Sequence, residues 1–387
     1  MRVAIDGRAL TGRYTGDTTY WKNLIAALVE ADPQLALEVY TREQIAEGLL
    51  PRSPAVSHRL VPAPNERYWT MFSLPAAIRR SRPDLLHVQY SIPPKRSCPC
   101  PIVTTIHDVS FRLFPEWYRP KDRILLNLST PRSVHGAARV ITVSESSRKD
   151  ILRLYSAPEW KVLATPLGIS GLASHKGADA QETAKTVAKE RYGINGRFVL
   201  AVSVLQPRKN FALLAEAFGM ARSACGLTHT LVFAGKEGWQ VTRESLRAAA
   251  VKGGAPPEAV QFTGYVPDED LPHLYRACDL FAAPALYEGF GLTPLEAMAC
   301  GAPVVVSDAP AMPEVVGDAA AILPARSVEA WAEGIGRLLN DSAELRRLAE
   351  AGPARATQFS WSTTAARTLS AYRDAIERPE GPNDDKK

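Results

Sequence analysis

The chain has 387 residues, 46% of them hydrophobic and 22% charged, and 46 Lys and Arg against 41 Asp and Glu leave a net charge of +5. Those proportions are ordinary for folded proteins and exclude disordered and fibrous classes, while the length exceeds one hydrophobic core and points to two domains. Acids and bases interleave throughout, which argues against a nucleic-acid partner, and the small basic excess suits phosphorylated ligands or an anionic membrane surface.

The opening Met1-Arg2-Val3-Ala4-Ile5-Asp6 meets a charge well before the length of an export signal, so it reads as a first strand. Short β-branched runs follow at 35–40, 85–90, 102–107 and 140–144, each trailed by a helical stretch, the alternation expected of parallel βα units. Residues 168–196 then hold Gly171, Gly177, Gly193 and Gly196 around a polar helical piece at 181–192. This predicts a linker, 171–196, between an N-terminal domain over 1–170 and a C-terminal domain over 197–360. A second series of strands is expected at 198–204, 230–235, 260–264, 280–284, 304–308 and 321–323. Helices at 327–339 and 342–358 come next, and Ser360 or Ser362 is placed to cap a final helix over 361–377 before a charged tail.

No run reaches the roughly 18 apolar residues of a membrane-spanning helix, so any membrane contact is expected to be peripheral. Cys98, Cys100, Cys225, Cys278 and Cys300 are an odd set without framework spacing, which predicts a reducing, cytoplasmic setting. The Cys98-Pro-Cys100 pair lacks a second ligand pair, and no metal site is expected.

Ligands of open parallel sheets bind beyond the carboxyl ends of strands, which draws attention to Asp6, His107, Asp108, Ser144, Ser203, Gly235, Gly264 and Glu288. The segment Tyr287-Glu288-Gly289-Phe290-Gly291-Leu292-Thr293-Pro294-Leu295-Glu296 runs from a strand through a glycine turn into a helix. Gly289 and Gly291 let backbone amides approach a ligand, Thr293 is expected to cap the helix, and free amides at its start attract phosphate. Glu288 and Glu296 flank that anion site, although the spacing fits equally a capped core helix with two satisfied acids. Arg208 and Lys209 occupy another strand-to-helix loop, Gln206-Pro207-Arg208-Lys209-Asn210, where they could neutralise a diphosphate; taken alone, an Arg-Lys pair reads as a solvated basic turn.

Together these segments resemble retaining glycosyltransferase family 4 of the GT-B fold. The likeness rests on the Glu288-to-Glu296 signature, Pro207 to Asn210, Phe233-Ala234-Gly235-Lys236, Phe262-Thr263-Gly264-Tyr265-Val266 and Cys300-Gly301-Ala302-Pro303-Val304-Val305. The resemblance implies an α/β architecture of two Rossmann-like domains facing across a cleft, the last helix crossing back to the N-terminal, acceptor-binding domain. It implies a nucleoside-diphosphate sugar as donor substrate, with no cofactor required. Arg208 and Lys209 would hold the diphosphate, Glu296 the ribose hydroxyls and Glu288 the transferred sugar. Backbone groups of Gly289, Phe290, Gly291, Leu292 and Thr293 would complete the sugar and phosphate site, with Ser203 at the neighbouring strand end, and Gly264, Tyr265 and Val266 would line the nucleobase pocket. In the N-terminal half the resemblance carries a donor-phosphate contact to Gly16 and a position near the sugar to His107, whereas Asp108 is expected to orient loops. Ser203, Ala285, Thr293 and Asp17 depart from the family's usual residues and bear on donor and acceptor specificity.

The implied mechanism is transfer with retention, a phosphate oxygen of the leaving group taking the acceptor's proton. The Pro-Arg-Lys-Asn form and the His-Asp strand end resemble a subset rich in mannosyltransferases of bacterial surface-polysaccharide assembly, with a slight preference for GDP-mannose and a glycan or lipid-linked acceptor. A sugar-nucleotide epimerase or phosphorylase-like enzyme shares the fold, and a non-catalytic nucleotide-sugar-binding paralogue or assembly partner is the alternative from another class. Arg52, Arg59, Arg67, Arg79, Arg80, Arg82, Lys95 and Arg96, with Trp69-Thr70-Met71-Phe72, fit equally a peripheral membrane face and a scattered solvated surface.

Overall fold

Short β-branched segments zip into parallel strands and the amphipathic stretches between them cover both faces, a pattern that a computed structural model describes for residues 1–12, 15–169 and 178–381. The chain divides into two units, Met1–Ser170 with Ser360–Lys387, and Gly171–Phe359. In the first unit, β1 (Arg2–Asp6), β2 (Ala36–Thr41), β3 (Val56–Leu60), β4 (Leu85–Gln89), β5 (Ile102–Thr105), β6 (Arg139–Thr142) and β7 (Val162–Ala164) form one parallel sheet in the order β3-β2-β1-β4-β5-β6-β7. β4, β5 and β6 are buried along their whole length, as parallel strands covered on both faces must be.

Two of these strands are absent from the sequence reading. β3 is a half-exposed edge strand, Val-Ser-His-Arg-Leu, and β7 has three residues, so neither presents the apolar run that burial imposes on central strands. Other strands stop one or two residues before the expected limit: β5 ends at Thr105 and β8 (Phe198–Val202) at Val202, which leaves His107 and Ser203 in the loops beyond.

The second unit repeats the plan with β8, β9 (Thr230–Ala234), β10 (Val260–Gly264), β11 (Leu280–Ala283), β12 (Val304–Ser307) and β13 (Ala321–Leu323), in the order β10-β9-β8-β11-β12-β13. The helix Phe211–Cys225 and the helix Val328–Asn340 bury Leu214, Phe218, Trp331 and Ile335 in the core on one face of this sheet. The polar helix expected at 181–192 runs Ala178–Tyr192, and its Arg191 and Tyr192 both hold Asp270 at 2.6 Å, so it docks on the helix Leu271–Ala277 of the same unit. Gly171, Gly177 and the tail beyond residue 381 lie outside the described residues.

The closing helix Trp361–Glu377 is capped by Ser360, which accepts from the Thr363 amide, and lies along the helix Gly16–Ala31 in the first unit. A buried polar chain fixes it there. The Tyr372 hydroxyl meets His87 Nδ1 at 2.6 Å, His87 Nε2 meets Thr105 Oγ1 at 2.8 Å, and Tyr20 reaches the same threonine at 2.9 Å. Burial pushes the His87 pKa down to about 3 from 6.5, with His107 adding repulsion, so the ring is neutral in the fold. Between those values the unfolded chain takes up a proton that the native chain refuses, and stability falls as pH falls. We expect this loss to reach at most about 1.4 kcal/mol per pH unit for this one group, and to be smaller in His87→Gln. Urea denaturation at about pH 6.5 and 5.5 checks it, read by the fluorescence of the chain's seven tryptophans; equal pH slopes in the two proteins would show that His87 contributes nothing.

Candidate functional site

Doubly wound sheets open a crevice where the strand order reverses, and in the second unit that point lies between β8 and β11. The loops leaving these two strands carry the Pro-Arg-Lys-Asn and Glu-Gly-Phe-Gly segments. After β8 the chain makes a turn of 3-10 helix, Pro207–Lys209, and enters the helix Phe211–Cys225 through Asn210 in the left-handed region, φ 57°. The Asn210 amide donates to the carbonyls of Pro284 at 3.1 Å and Ala325 at 2.8 Å, and the Leu286 amide donates to the Arg208 carbonyl at 2.8 Å. The basic loop is thereby stitched to the loop after β11 by the Asn210 side chain and the Leu286 amide, and to the segment after β13 by the same asparagine.

That stitching aims both cations at one acid. Arg208 Nη1 lies 3.0 Å from Glu288 Oε2, and the Lys209 ammonium donates to Glu288 Oε1. All three side chains are largely withdrawn from water. Burial by itself would raise the Glu288 pKa, but Lys209 and Arg208 outweigh it and hold the carboxyl below the usual range. Two cations sharing one anion leave the locus net positive, as a diphosphate subsite requires.

Beyond Glu288, Gly291 adopts φ 107° and precedes the helix Leu292–Ala299. A side chain there would be strained and would meet Met312 Sδ at 3.0 Å, so the glycine is needed. Gly291, not Thr293, is the cap; Thr293 already lies inside the first turn and its hydroxyl caps nothing. The helix begins two residues earlier than expected because the glycine, rather than a side-chain oxygen, makes the turn. Leu292 is half-buried, and Phe290 turns inward to meet Phe359 edge-on at 5.7 Å, so Phe290 can serve a ligand only through its backbone.

Glu296 is half-buried one turn into this helix, and its Oε2 accepts from the Tyr275 hydroxyl at 3.0 Å. Burial pushes its pKa up to about 7, against the lowering effect of the tyrosine hydrogen bond, with Asp268 adding repulsion. The group therefore changes charge near neutrality. At the next strand ends the backbones crowd together: the Gly235 amide donates to the Gly264 carbonyl at 2.8 Å, and a Cβ on Gly235 would fall 1.8 Å from the Ser203 carbonyl. Gly264 takes φ 73°, Val266 is buried, and Tyr265 stands exposed with the Lys236 ammonium 4.5 Å from its ring centre.

In the first unit, His107 follows β5. The Gln89 amide nitrogen lies 2.9 Å from His107 Nε2, Asp17 Oδ1 is 3.4 Å away, and the Tyr20 ring meets the imidazole edge-on. Burial lowers the His107 pKa, opposed by Asp17 and Asp108, and a neutral ring is what accepts from Gln89. Asp108 accepts from the Ser110 amide and hydroxyl and so organises the loop. Gly16 opens the helix Gly16–Ala31 with clear space where a Cβ would go.

Gln89 and Tyr275, the partners that set His107 and Glu296, had no local signal in the sequence, since each acts across the fold. The cysteine pair is half-buried, which raises the Cys98 thiol to about 11 and the Cys100 thiol to about 12. Among the described residues no three His, Cys, Asp or Glu side chains stand together as a metal would need.

Two family models match the chain, Glycosyltransferase Family 4 over residues 14–170 and Glycosyl transferases group 1 over residues 184–355. The O-antigen chain mannosyltransferase B of Escherichia coli is 35% identical over 272 residues, 70% of this chain and 70% of that protein. The serotype-specific mannosyltransferase WbdA of Escherichia coli is 29% identical over 243 residues, 62% of this chain, which spans only 29% of that longer protein. The solved structure of HepE from Anabaena, in complex with UDP and glucose, superposes with a TM-score of 0.71 at 21% identity, covering 96% of this chain and all of the other, a likeness of fold. The chain belongs to the group 1, family 4 glycosyltransferases and carries their two-domain GT-B fold.

Proposed function

We propose that the protein is a retaining hexosyltransferase that uses a nucleoside-diphosphate sugar, GDP-mannose before UDP-sugars, and elongates a glycan or lipid-linked acceptor in bacterial surface-polysaccharide synthesis at the cytoplasmic side of the membrane. The observation that carries this reading is the pair Arg208 and Lys209, held by Glu288 beside the Gly289–Gly291 turn at the strand-order reversal of the second unit. The mannosyltransferases of Escherichia coli support the sugar, and HepE with UDP supports a nucleotide donor.

In this reading the guanidinium and ammonium receive the two phosphates, and their charge counts for more as the leaving group gains its negative charge in the transition state. Glu288 keeps them aimed and offers its remaining lone pairs to hydroxyls of the transferred sugar. Glu296, at the start of the neighbouring helix, accepts from the ribose diol. The amides of Gly291, Leu292 and Thr293 add neutral donors to the phosphates. Ser203 and the Gly264, Tyr265 and Val266 turn border the base. In the first unit, Gly16 and the neutral, oriented His107 are that unit's contribution to ligand binding. The acceptor hydroxyl attacks on the face the leaving group vacates, and a phosphate oxygen takes its proton.

Thermal denaturation with GDP, UDP and ADP separates the donor readings. At 100 times its dissociation constant the right nucleotide stabilises by about 2.7 kcal/mol, and we expect that shift with GDP and its loss in Lys209→Ala. Mannosyl transfer should fall about 100- to 1,000-fold in kcat in Lys209→Ala, and product NMR should show the donor's anomeric configuration. A shift with UDP alone would replace the base; binding without any transfer would favour the non-catalytic paralogue.

The Glu296 role has its own pH signature. An ionised carboxylate accepts two ribose hydroxyls better than a neutral one, so affinity for GDP-mannose, whose diphosphate does not titrate in this range, should rise through about pH 7. Tyr275→Phe removes the hydrogen bond that favours the anion and should move the rise to higher pH, while Glu296→Gln should flatten it. Calorimetry at pH 6, 7 and 8 reads all three; a pH-independent wild type would remove Glu296 from the donor site.

A further inference from the structure

The first sheet has a strand-order reversal of its own, between β1 and β4, and the loops leaving the strands there carry a chemistry unlike the second unit's. β1 runs out through Asp6 and Arg8 to the helix Gly16–Ala31, β4 ends at Gln89, and β5 leads to His107. The Thr18 hydroxyl accepts from the Thr15 amide at 3.1 Å and donates to the Ala9 carbonyl at 2.7 Å, which ties the start of that helix to the β1 loop. Asp17 is carried in the first helical turn, its Oδ1 3.4 Å from His107 Nε2. Tyr90, the residue after β4, holds φ 56° and sets its ring 5.9 Å from the imidazole; a bulky side chain in the left-handed region is strain of the kind that ligand sites retain.

Among the described acids at these strand ends, two are spent within the protein. Asp6 is buried and takes the Arg8 guanidinium at 2.9 Å and the Trp69 indole at 3.1 Å. Asp108 takes the amide and hydroxyl of Ser110. Asp17 keeps 43% of its side chain exposed, and His107 gives it nothing: with Nε2 accepting from Gln89 at 2.9 Å, the neutral ring has no proton on that side. Asp6 and Arg8 cancel, and burial keeps His107 uncharged. Asp17 and Asp108 therefore leave the described part of this crevice net negative, whereas the reversal in the second unit is net positive.

A carboxylate with open lone pairs accepts from hydroxyls and repels phosphates. Next to Asp17, a Cβ added to Gly16 would meet nothing within 4 Å beyond its chain neighbours, which leaves room for a sugar ring at that place. A nucleotide donor carries its diphosphate close to its sugar, and the positive reversal of the second unit complements that charge. The negative reversal suits a partner that brings hydroxyls and no charge. Asp17 is one of the four positions that depart from the family's usual residues, so the effect belongs to this chain and not to the family at large.

We propose that Asp17 is a specificity-determining residue, accepting hydroxyls of the acceptor's terminal sugar and restricting that sugar to a neutral one, free of phosphate and carboxylate. This rests on the reading in which the second unit holds the donor. The full chain is tested with GDP-mannose and octyl glycosides of mannose, glucose, galactose and N-acetylglucosamine, each neutral and as its 6-phosphate. We expect the wild type to prefer the neutral form of its best acceptor by about 100-fold or more in kcat/KM. Asp17→Asn should raise KM for that neutral acceptor about ten-fold with kcat within about three-fold, while transfer to the phosphorylated form rises. A merely structural role would lower both forms together. The GDP-induced thermal shift, which reads the second unit, should be the same in wild type and variant. Equal losses on both acceptor forms, an unchanged preference, a wild type that takes phosphorylated glycosides as well as neutral ones, transfer to no neutral glycoside, or a GDP shift lost in the variant alone would overturn the proposal; a wild type without any GDP shift would instead strike the donor assignment beneath it.

Discussion

A carboxylate taken out of water must be paired, and in the second unit that requirement organises the whole strand-order reversal. Glu288 is buried at the end of one loop, and the two cations that satisfy it come from another, so neither loop has a satisfactory conformation without its neighbour. Two further bonds reinforce the same contact, the Leu286 amide on the Arg208 carbonyl and the Asn210 side chain on the Pro284 carbonyl, while the same side chain also reaches Ala325 beyond β13. A triad of this kind contributes little net stability over an apolar cluster, since desolvation offsets most of the attraction. Its value lies in direction. Two long flexible cations are held in one orientation, which is the preorganisation that the proposed diphosphate subsite would use.

The same economy runs through the neighbouring strand ends. Gly235 has no room for a side chain because the Ser203 carbonyl occupies it, and Gly291 turns the chain where a cap residue would have placed bulk. Gly235 lets the backbones at Ser203, Gly235 and Gly264 come close together at the carboxyl ends of β8, β9 and β10. Glu296 adds a carboxyl whose burial makes its charge sensitive near neutral pH and whose tyrosine partner biases it toward the anion.

How much of this could be read beforehand depends on whether the cause was local. Central strands were legible because burial on both faces forces a run of β-branched residues, whereas β3 and β7, one an edge and the other three residues long, carried no such imprint. Glu288, Arg208 and Lys209 became candidates through their strand-to-helix loops together with the family resemblance, since the Arg-Lys pair alone reads as a solvated turn, and their mutual pairing, across about 80 residues, had no local signal. Thr293 misled because a threonine before a proline looks like a cap, while the backbone dihedral of Gly291 does that work. Gln89 and Tyr275 were silent: a glutamine inside a strand and a tyrosine inside a helix acquire meaning only when the fold sets them against His107 and Glu296. Trp69 went the other way, counted with its neighbours until a π-helical turn separated it from them.

The chain order imposes one further constraint. Tyr20, His87, Thr105 and Tyr372 form a single buried polar chain in the first unit, yet the last of them comes after every residue of the second. Until the helix Trp361–Glu377 returns, His87 has one nitrogen without its tyrosine partner, Tyr20 lacks the edge-on contact of Trp361, and the helix Gly16–Ala31 lacks the neighbour that lies along it. Gly168 enforces where that return begins, because any Cβ there would fall 2.1 Å from the Trp361 amide nitrogen. The second unit is therefore enclosed within the sequence of the first, and the loop it closes is long, which slows non-local contact formation far more than it weakens the finished fold. The unit that holds the Glu288 triad can complete its core from contiguous residues, while the unit that holds His107 must wait for the end of the chain.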